Sequence, residues 1–241
     1  MSDIKHDIDD AIKTLTKNAT DSLTKQLIAN SPDPVDEKEL KKEISSFLDI
    51  KVEEKRINSA FDSIVDYLHR HGSPVELEEI RENWREAFEK FTTLLAEERA
   101  FTEKDMEISL QEAIGISQKT FDQFYKTGRE LYSHKEYQKA ADIFFTLALF
   151  NQYYYNVWLS LGLSEQHCGH FDAALRAYAM AAITNIDSPE PFLHGADCCI
   201  AMHDKHEAEL YLEEAVERID KDRNQYESLR PHAVRMKQLI K

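Results

Sequence analysis

Three segments of the chain align without a gap at a spacing of 34 residues, starting at Phe121, Tyr155 and Pro189. In that register Phe124, Trp158 and Phe192 are all aromatic, and Gly128, Gly162 and Ala196 are all small. Ala140, Ala174 and Ala208 coincide, as do Phe144, Tyr178 and Leu212, and then Ala148, Ala182 and Val216. A period of this length means that each unit is too small to bury its own apolar face. Neighbours must stack to make a core.

An aromatic, a small residue four later, then an Ala and a large apolar residue four after it make the tetratricopeptide pattern of paired helices. Each position has a packing reason. The small residues let the first helix of a pair approach its partner closely, the alanines do the same for the second helix, and the aromatics fill the gap between neighbouring pairs. The expected fold is all-α: a solenoid of three helix pairs near 121–154, 155–188 and 189–222, closed by a C-terminal helix at 223–241. With 6 Gly and 42% apolar residues in 241, the composition suits a helical protein with a buried core.

In such a solenoid the first helices of the pairs line a concave groove. The residues expected to face it are Tyr125, Arg129 and Tyr132 in the first pair, Leu159, Leu163 and Gln166 in the second, and Leu193, Asp197 and Ile200 in the third. They mix aromatic and aliphatic side chains with few charges. A groove of that kind suits an extended peptide with apolar anchors.

The stretch SPEPFLHGADCC (188–199) crowds prolines, a histidine and two cysteines together. The repeat frame explains them through packing. Pro189 and Pro191 open the third pair's first helix, where a missing N–H costs little, with Asp187 or Ser188 as its cap. Cys198 and Cys199 are small packing residues. The rival reading is a zinc site, because His194 and Cys198, and Cys199 and His203, are four apart, with His206 next. The frame instead puts His203 in a turn and His206 on the following helix, so no metal or cofactor is expected.

Residues 1–107 carry no such repeat but are helical in pattern. Ile4, Ile8, Ile12, Leu15, Ala19, Leu23 and Leu27 form an apolar stripe. A break at SPDPVD (31–36) precedes a short helix at about 36–49. Ile57, Phe61, Ile64, Val65 and Leu68 mark another helix, ending near His71-Gly72-Ser73-Pro74. Leu77, Ile80, Trp84, Ala87, Phe91 and Leu94 then step like a short coiled-coil seam, with Glu76, Glu78 and Glu79 at its start. This region either forms a dimerisation or docking module or packs on itself and caps the first repeat.

The net charge of −15 argues against nucleic acid and anionic lipid as partners. No apolar run approaches a membrane span, and the acidic start MSDIKHDIDD lacks a signal-peptide core. With Cys168, Cys198 and Cys199 the only cysteines, a disulfide framework is not expected. The expected setting is the cytoplasm. No nucleophile–base pair, phosphate loop or paired carboxylates are apparent, so the reading is a binding protein and not an enzyme.

Within this frame, residues 109–166 resemble the class II chaperones of bacterial type III secretion, the low-calcium-response-protein-H-like family. The matching residues are Gly115-Ile116, Tyr125, Gly128 and Tyr132, and in the third repeat Pro191, Phe192, His194 and Cys198. The resemblance covers residues 108–240. It implies a bacterial, cytoplasmic, virulence-associated chaperone that holds a short proline-containing segment of a hydrophobic translocator in its groove before export. By position it implies Tyr125, Tyr132 and Tyr137 as aromatic contacts. Arg129 stands where the family commonly has an apolar residue. Members dimerise partly through one short helix before the repeats; the long extension here is not part of the resemblance. The rival readings are a general repeat scaffold and a metalloenzyme around Cys199 and His203.

Overall fold

A computed structural model of the chain describes residues 50–96 and 109–240, with isolated residues between 24 and 41. The stripe from Ile4 to Leu27 and most of the expected helix at 36–49 lie outside the described residues. Every regular element among the described residues is helical. None of these helices is long and apolar enough to cross a membrane. The chain divides into two compact units. One comprises the described residues up to Thr127 together with Leu149–Gln152; the other comprises Gly128–Ala148 and Tyr153 onward.

The first unit contains α1 (Ile50–His71), α2 (Pro74–Ala96), α3 (Leu110–Ile114) and the start of α4 (Gln118–Ser133). α1 ends where the sequence turns at Gly72-Ser73-Pro74. Ser73 then caps α2: its Oγ accepts from the Glu76 N–H at 3.1 Å, and its own N–H donates to the Glu76 carboxylate at 2.8 Å. Those bonds hold the Glu76 carboxyl below its usual range. Leu77, Ile80 and Ala87 of the seam are buried. Trp84 meets Phe61 at 4.0 Å, Phe150 at 5.4 Å and Phe124 at 6.3 Å between ring centres. The side chains of Phe91 and Leu94 lie outside the described set.

Polar bonds fasten the same helix. Asn83 on α2 donates from Nδ2 to the Gly115 carbonyl at 3.1 Å, and its Oδ1 accepts from the Ser117 N–H at 3.0 Å and the Thr120 hydroxyl at 2.8 Å. One side chain thus supplies both donor and acceptor to the turn that starts α4. An ion pair between Glu79 and Lys119 lies alongside.

The second unit carries the end of α4, then α5 (Tyr137–Phe150) as far as Ala148, α6 (Tyr155–His167), α7 (Phe171–Thr184), α8 (Glu190–Ala201) and α9 (Lys205–Lys221). α10 (Arg223–Tyr226), a 3-10 turn at Glu227–Leu229 and α11 (Arg230–Ile240) follow. The expected single C-terminal helix is therefore interrupted. Pro231 has no N–H to give, and its ring would meet the carbonyl of Glu227 four residues back, so the helix cannot run through.

The repeat columns are core. Ala140, Ala174, Ala196, Ala208 and Leu212 are 0% exposed, and Phe144 and Tyr178 are 1% exposed. A Cβ on Gly162 would fall 2.3 Å from Tyr178 Cε1, and one on Gly128 would fall 2.9 Å from Phe144, so both positions admit only glycine without movement. In the third pair the closest approach shifts by one residue: Gly195, not Ala196, meets a ring, Tyr211, at 2.6 Å. Ties between successive pairs repeat the period. Tyr155 shares a hydrogen bond with Ser188 at 2.8 Å and donates to Glu190 at 2.9 Å, and Lys221 reaches Asp187 at 2.7 Å. Asp187 is thus engaged with Lys221, and Ser188 gives α8 the weaker contact to the Glu190 N–H at 3.3 Å.

Candidate functional site

Helix ends in the second unit collect aromatic and imidazole rings. Tyr132 lies in the last turn of α4 and Tyr137 opens α5. The turn between them passes through Lys135 at a φ of 65°, and it sets the two rings edge to face at 5.2 Å. His167, the last residue of α6, stacks on Tyr137 at 4.4 Å with 9° between the ring planes, and meets Tyr132 at 5.5 Å. Its neighbour Gln166 accepts a 2.6 Å hydrogen bond from the Tyr178 hydroxyl on α7. Tyr178 in turn stacks on His194 of α8 at 5.6 Å. His194 faces His232 of α11 at 6.3 Å, and Asp197 lies between them: its Oδ2 is 3.3 Å from His232 Nε2 and 4.0 Å from His194 Nδ1.

The electrostatics follow from burial. Loss of water raises the Tyr178 phenol, with Cys198, Tyr132 and Asp197 adding to it, so Tyr178 remains a donor to Gln166. Burial first, then His232 and His167, lower His194 to about 4, so its ring is neutral at neutral pH. Burial raises the Asp197 carboxyl, while His232 and Arg235 pull it back. The result is a face of stacked rings ending in one partly desolvated carboxylate held by an imidazole. It offers flat apolar surface to an extended chain and a single strong acceptor at one end.

Of the residues read from the sequence, Tyr132, Tyr137, Gln166 and Asp197 belong to this face. Leu159 and Leu163 are half-buried and pack against Ala174, Tyr178 and Cys198. Leu193 is 1% exposed, in a cluster with Ala196, Leu212, Ala233, Met236 and Ile240. It is core and not groove, because α11 supplies the last three of those side chains over it. Ile200 packs on the same cluster. Arg129 is exposed on α4, and Tyr125 is half-buried in the first unit. The face also contains His167, His194 and His232, with the buried Tyr178 stacked on His194; the repeat frame has Tyr178 as a packing position, and His194 figures only as a zinc candidate and in the family resemblance.

The cysteine pair divides between two packing environments. Cys198 sits with Ala174 and Tyr178, Cys199 with Ala208 and Leu212. Burial raises both thiols, to about 12 and about 11. His203 occupies a turn at a φ of 63° and His206 is exposed on α9. Among the described residues no three His, Cys, Asp or Glu side chains are grouped to hold a metal ion.

No family model matches the chain. It is 30% identical over 126 residues to low calcium response locus protein H of Yersinia pestis, covering 52% of this chain and 74% of that protein. Among solved structures, the type III secretion translocator chaperone SycD of Yersinia enterocolitica is 26% identical with a TM-score of 0.50. The match covers 55% of this chain and 96% of SycD. A type III secretion complex from Aeromonas hydrophila, 22% identical over 55% of this chain and 88% of its own, shares the fold with a TM-score of 0.52.

Proposed function

Because this chain belongs to the low calcium response locus protein H family of type III secretion translocator chaperones, we propose that it binds a hydrophobic translocator and keeps it soluble before export. The client contributes an extended segment, which lies along the rings of Tyr132, Tyr137 and His167 towards His194. The observation that carries this reading is the stacking of Tyr132, Tyr137 and His167 across three helices, an apolar strip that needs only an extended chain to cover it. Residues 108–241 are the client-binding part, and residues 1–107 serve as a dimerisation module, a docking module or a cap. Arg129 extends the contact along α4, and Leu159 and Leu163 add to it on α6.

The role requires binding and no turnover. A translocator has segments destined for a membrane, and these aggregate if left bare in water. Masking them in the cytoplasm is a mass-action effect that consumes no nucleotide. The charge of −15 keeps a chaperone–client complex dispersed.

Co-expression with the translocator encoded beside it tests the proposal. The native chain should hold the translocator in the soluble fraction as a complex, and a Tyr132→Ala/Tyr137→Ala variant should lose it to the pellet. Equal rescue by both would move the binding surface away from the rings. Failure of the native chain to rescue would favour a general scaffold.

A further inference from the structure

The ring face is apolar except at its α8 end, where Asp197 lies between His194 and His232. Both contacts fall on the same carboxylate oxygen, Oδ2, which leaves Oδ1 as an acceptor. The side chain is 31% exposed, so it has lost much of its water yet can still be reached. His194 is held neutral by burial. Arg235, exposed on α11, acts on Asp197 through charge. A half-desolvated carboxylate with one oxygen engaged is stabilised by a further donor, most strongly by a cationic one.

The surroundings select the shape of that donor. His194, 27% exposed and backed by the buried Tyr178 ring at 5.6 Å, provides a flat wall leading to the carboxylate. A lysine or arginine side chain matches such a wall: its methylene stem packs on the rings while its charged end reaches the acid. The tie from His232 fixes where the carboxylate points, so the acceptor is preorganised.

We propose that Asp197 is the specificity-determining acceptor of the face, taking a lysine or arginine side chain of the bound client segment. This rests on the reading of the face as the client site. Its consequence is register: an apolar strip alone lets an extended chain slide, and one ion pair at the end fixes which residue lies over which ring.

The experiment uses the full chain and overlapping synthetic peptides from the first hundred residues of the translocator encoded beside it. In the tightest-binding peptide, each lysine and arginine is replaced by methionine in turn. One replacement should weaken binding roughly tenfold, the scale of a charge-assisted hydrogen bond. Asp197→Asn should weaken the parent peptide by a similar factor and leave the replaced peptide unchanged, so that the two effects do not add. His232→Gln separates recognition from a merely structural tie, since it breaks the α8–α11 contact and keeps the carboxylate. Binding of the parent peptide should fall by less than with Asp197→Asn, through the lost preorganisation alone. Additive losses, or a His232→Gln variant as weak as Asp197→Asn, would overturn the role of Asp197 while leaving the ring face intact. If no peptide binds the native chain, the reading of the face fails and this proposal fails with it.

Discussion

The second helix pair, α6 and α7, and the third, α8 and α9, both bring a glycine against an aromatic ring sixteen residues later, but they use the contact differently. Gly162 meets Tyr178, whose ring is 1% exposed and whose hydroxyl is tied to Gln166. Gly195 meets Tyr211, which is half-buried and one residue out of the repeat frame. In the second pair one ring therefore both packs the core and backs His194 of the candidate face. In the third pair the two jobs are separated: Leu193, Ala196 and Leu212 make the core, and His194 and Asp197 make the face. A pair that shares a residue between stability and recognition has less freedom to vary than one that divides them.

The sharpest way to break this comparison is Leu193→Ala. A fully buried leucine under α11 should cost about 2–5 kcal/mol in urea unfolding, whereas Leu159→Ala, at the half-buried counterpart in the second pair, should cost less. Equal losses would mean that the third pair has no separate core.

Acid should distinguish the pairs next. His194 has a pKa of about 4 in the fold against an ordinary 6.5, so the unfolded chain takes up its proton first. Stability is then complete above 6.5 and falls as the pH drops towards 4, by on the order of 2–3 kcal/mol. Asp197, raised by burial, works in the opposite sense and returns part of this at the low end. Hydrogen exchange across this window should show α8 and α11 loosening before α6, and His194→Gln should flatten the slope.

Gly162→Ala should follow. Its Cβ would fall within 2.5 Å of two atoms of a ring that has no room to move. The expected loss is about 1–3 kcal/mol from overpacking, offset in part by about 1 kcal/mol of helix propensity. Gly195→Ala should be close to neutral, because Tyr211 can swing outward; thermal melts of the two variants test the contrast directly. A modest loss is expected of Tyr178→Phe. It removes one hydrogen bond to Gln166, worth about 0.5–1.5 kcal/mol, and keeps the ring. Client binding should persist in this variant if stacking is what matters.

The repeat frame made the core columns readable, because a 34-residue period repeats the same packing demand at Ala140, Ala174 and Ala208. The face was only half readable. Tyr132, Gln166 and Asp197 follow from helix spacing within a pair, and Tyr137 from the family resemblance. His232 does not, since it arrives from α11 and meets Asp197 only after Pro231 has broken the C-terminal segment and redirected it. Leu193 was misplaced for the same reason: spacing shows which face of α8 it occupies, but not that another helix covers that face. Gly195 escaped because the frame already had Ala196 as its small residue.

Asn83 fastens α2 to residues at 115, 117 and 120, and Tyr155 binds Ser188 and Glu190 at nearly the same remove. Each of these clasps closes a loop of one repeat length, which keeps the contact order low. During synthesis, the earlier half of every clasp has already left the ribosome when its counterpart appears. The chain can therefore fold in the order in which it is made, each new helix docking on one that is waiting for it.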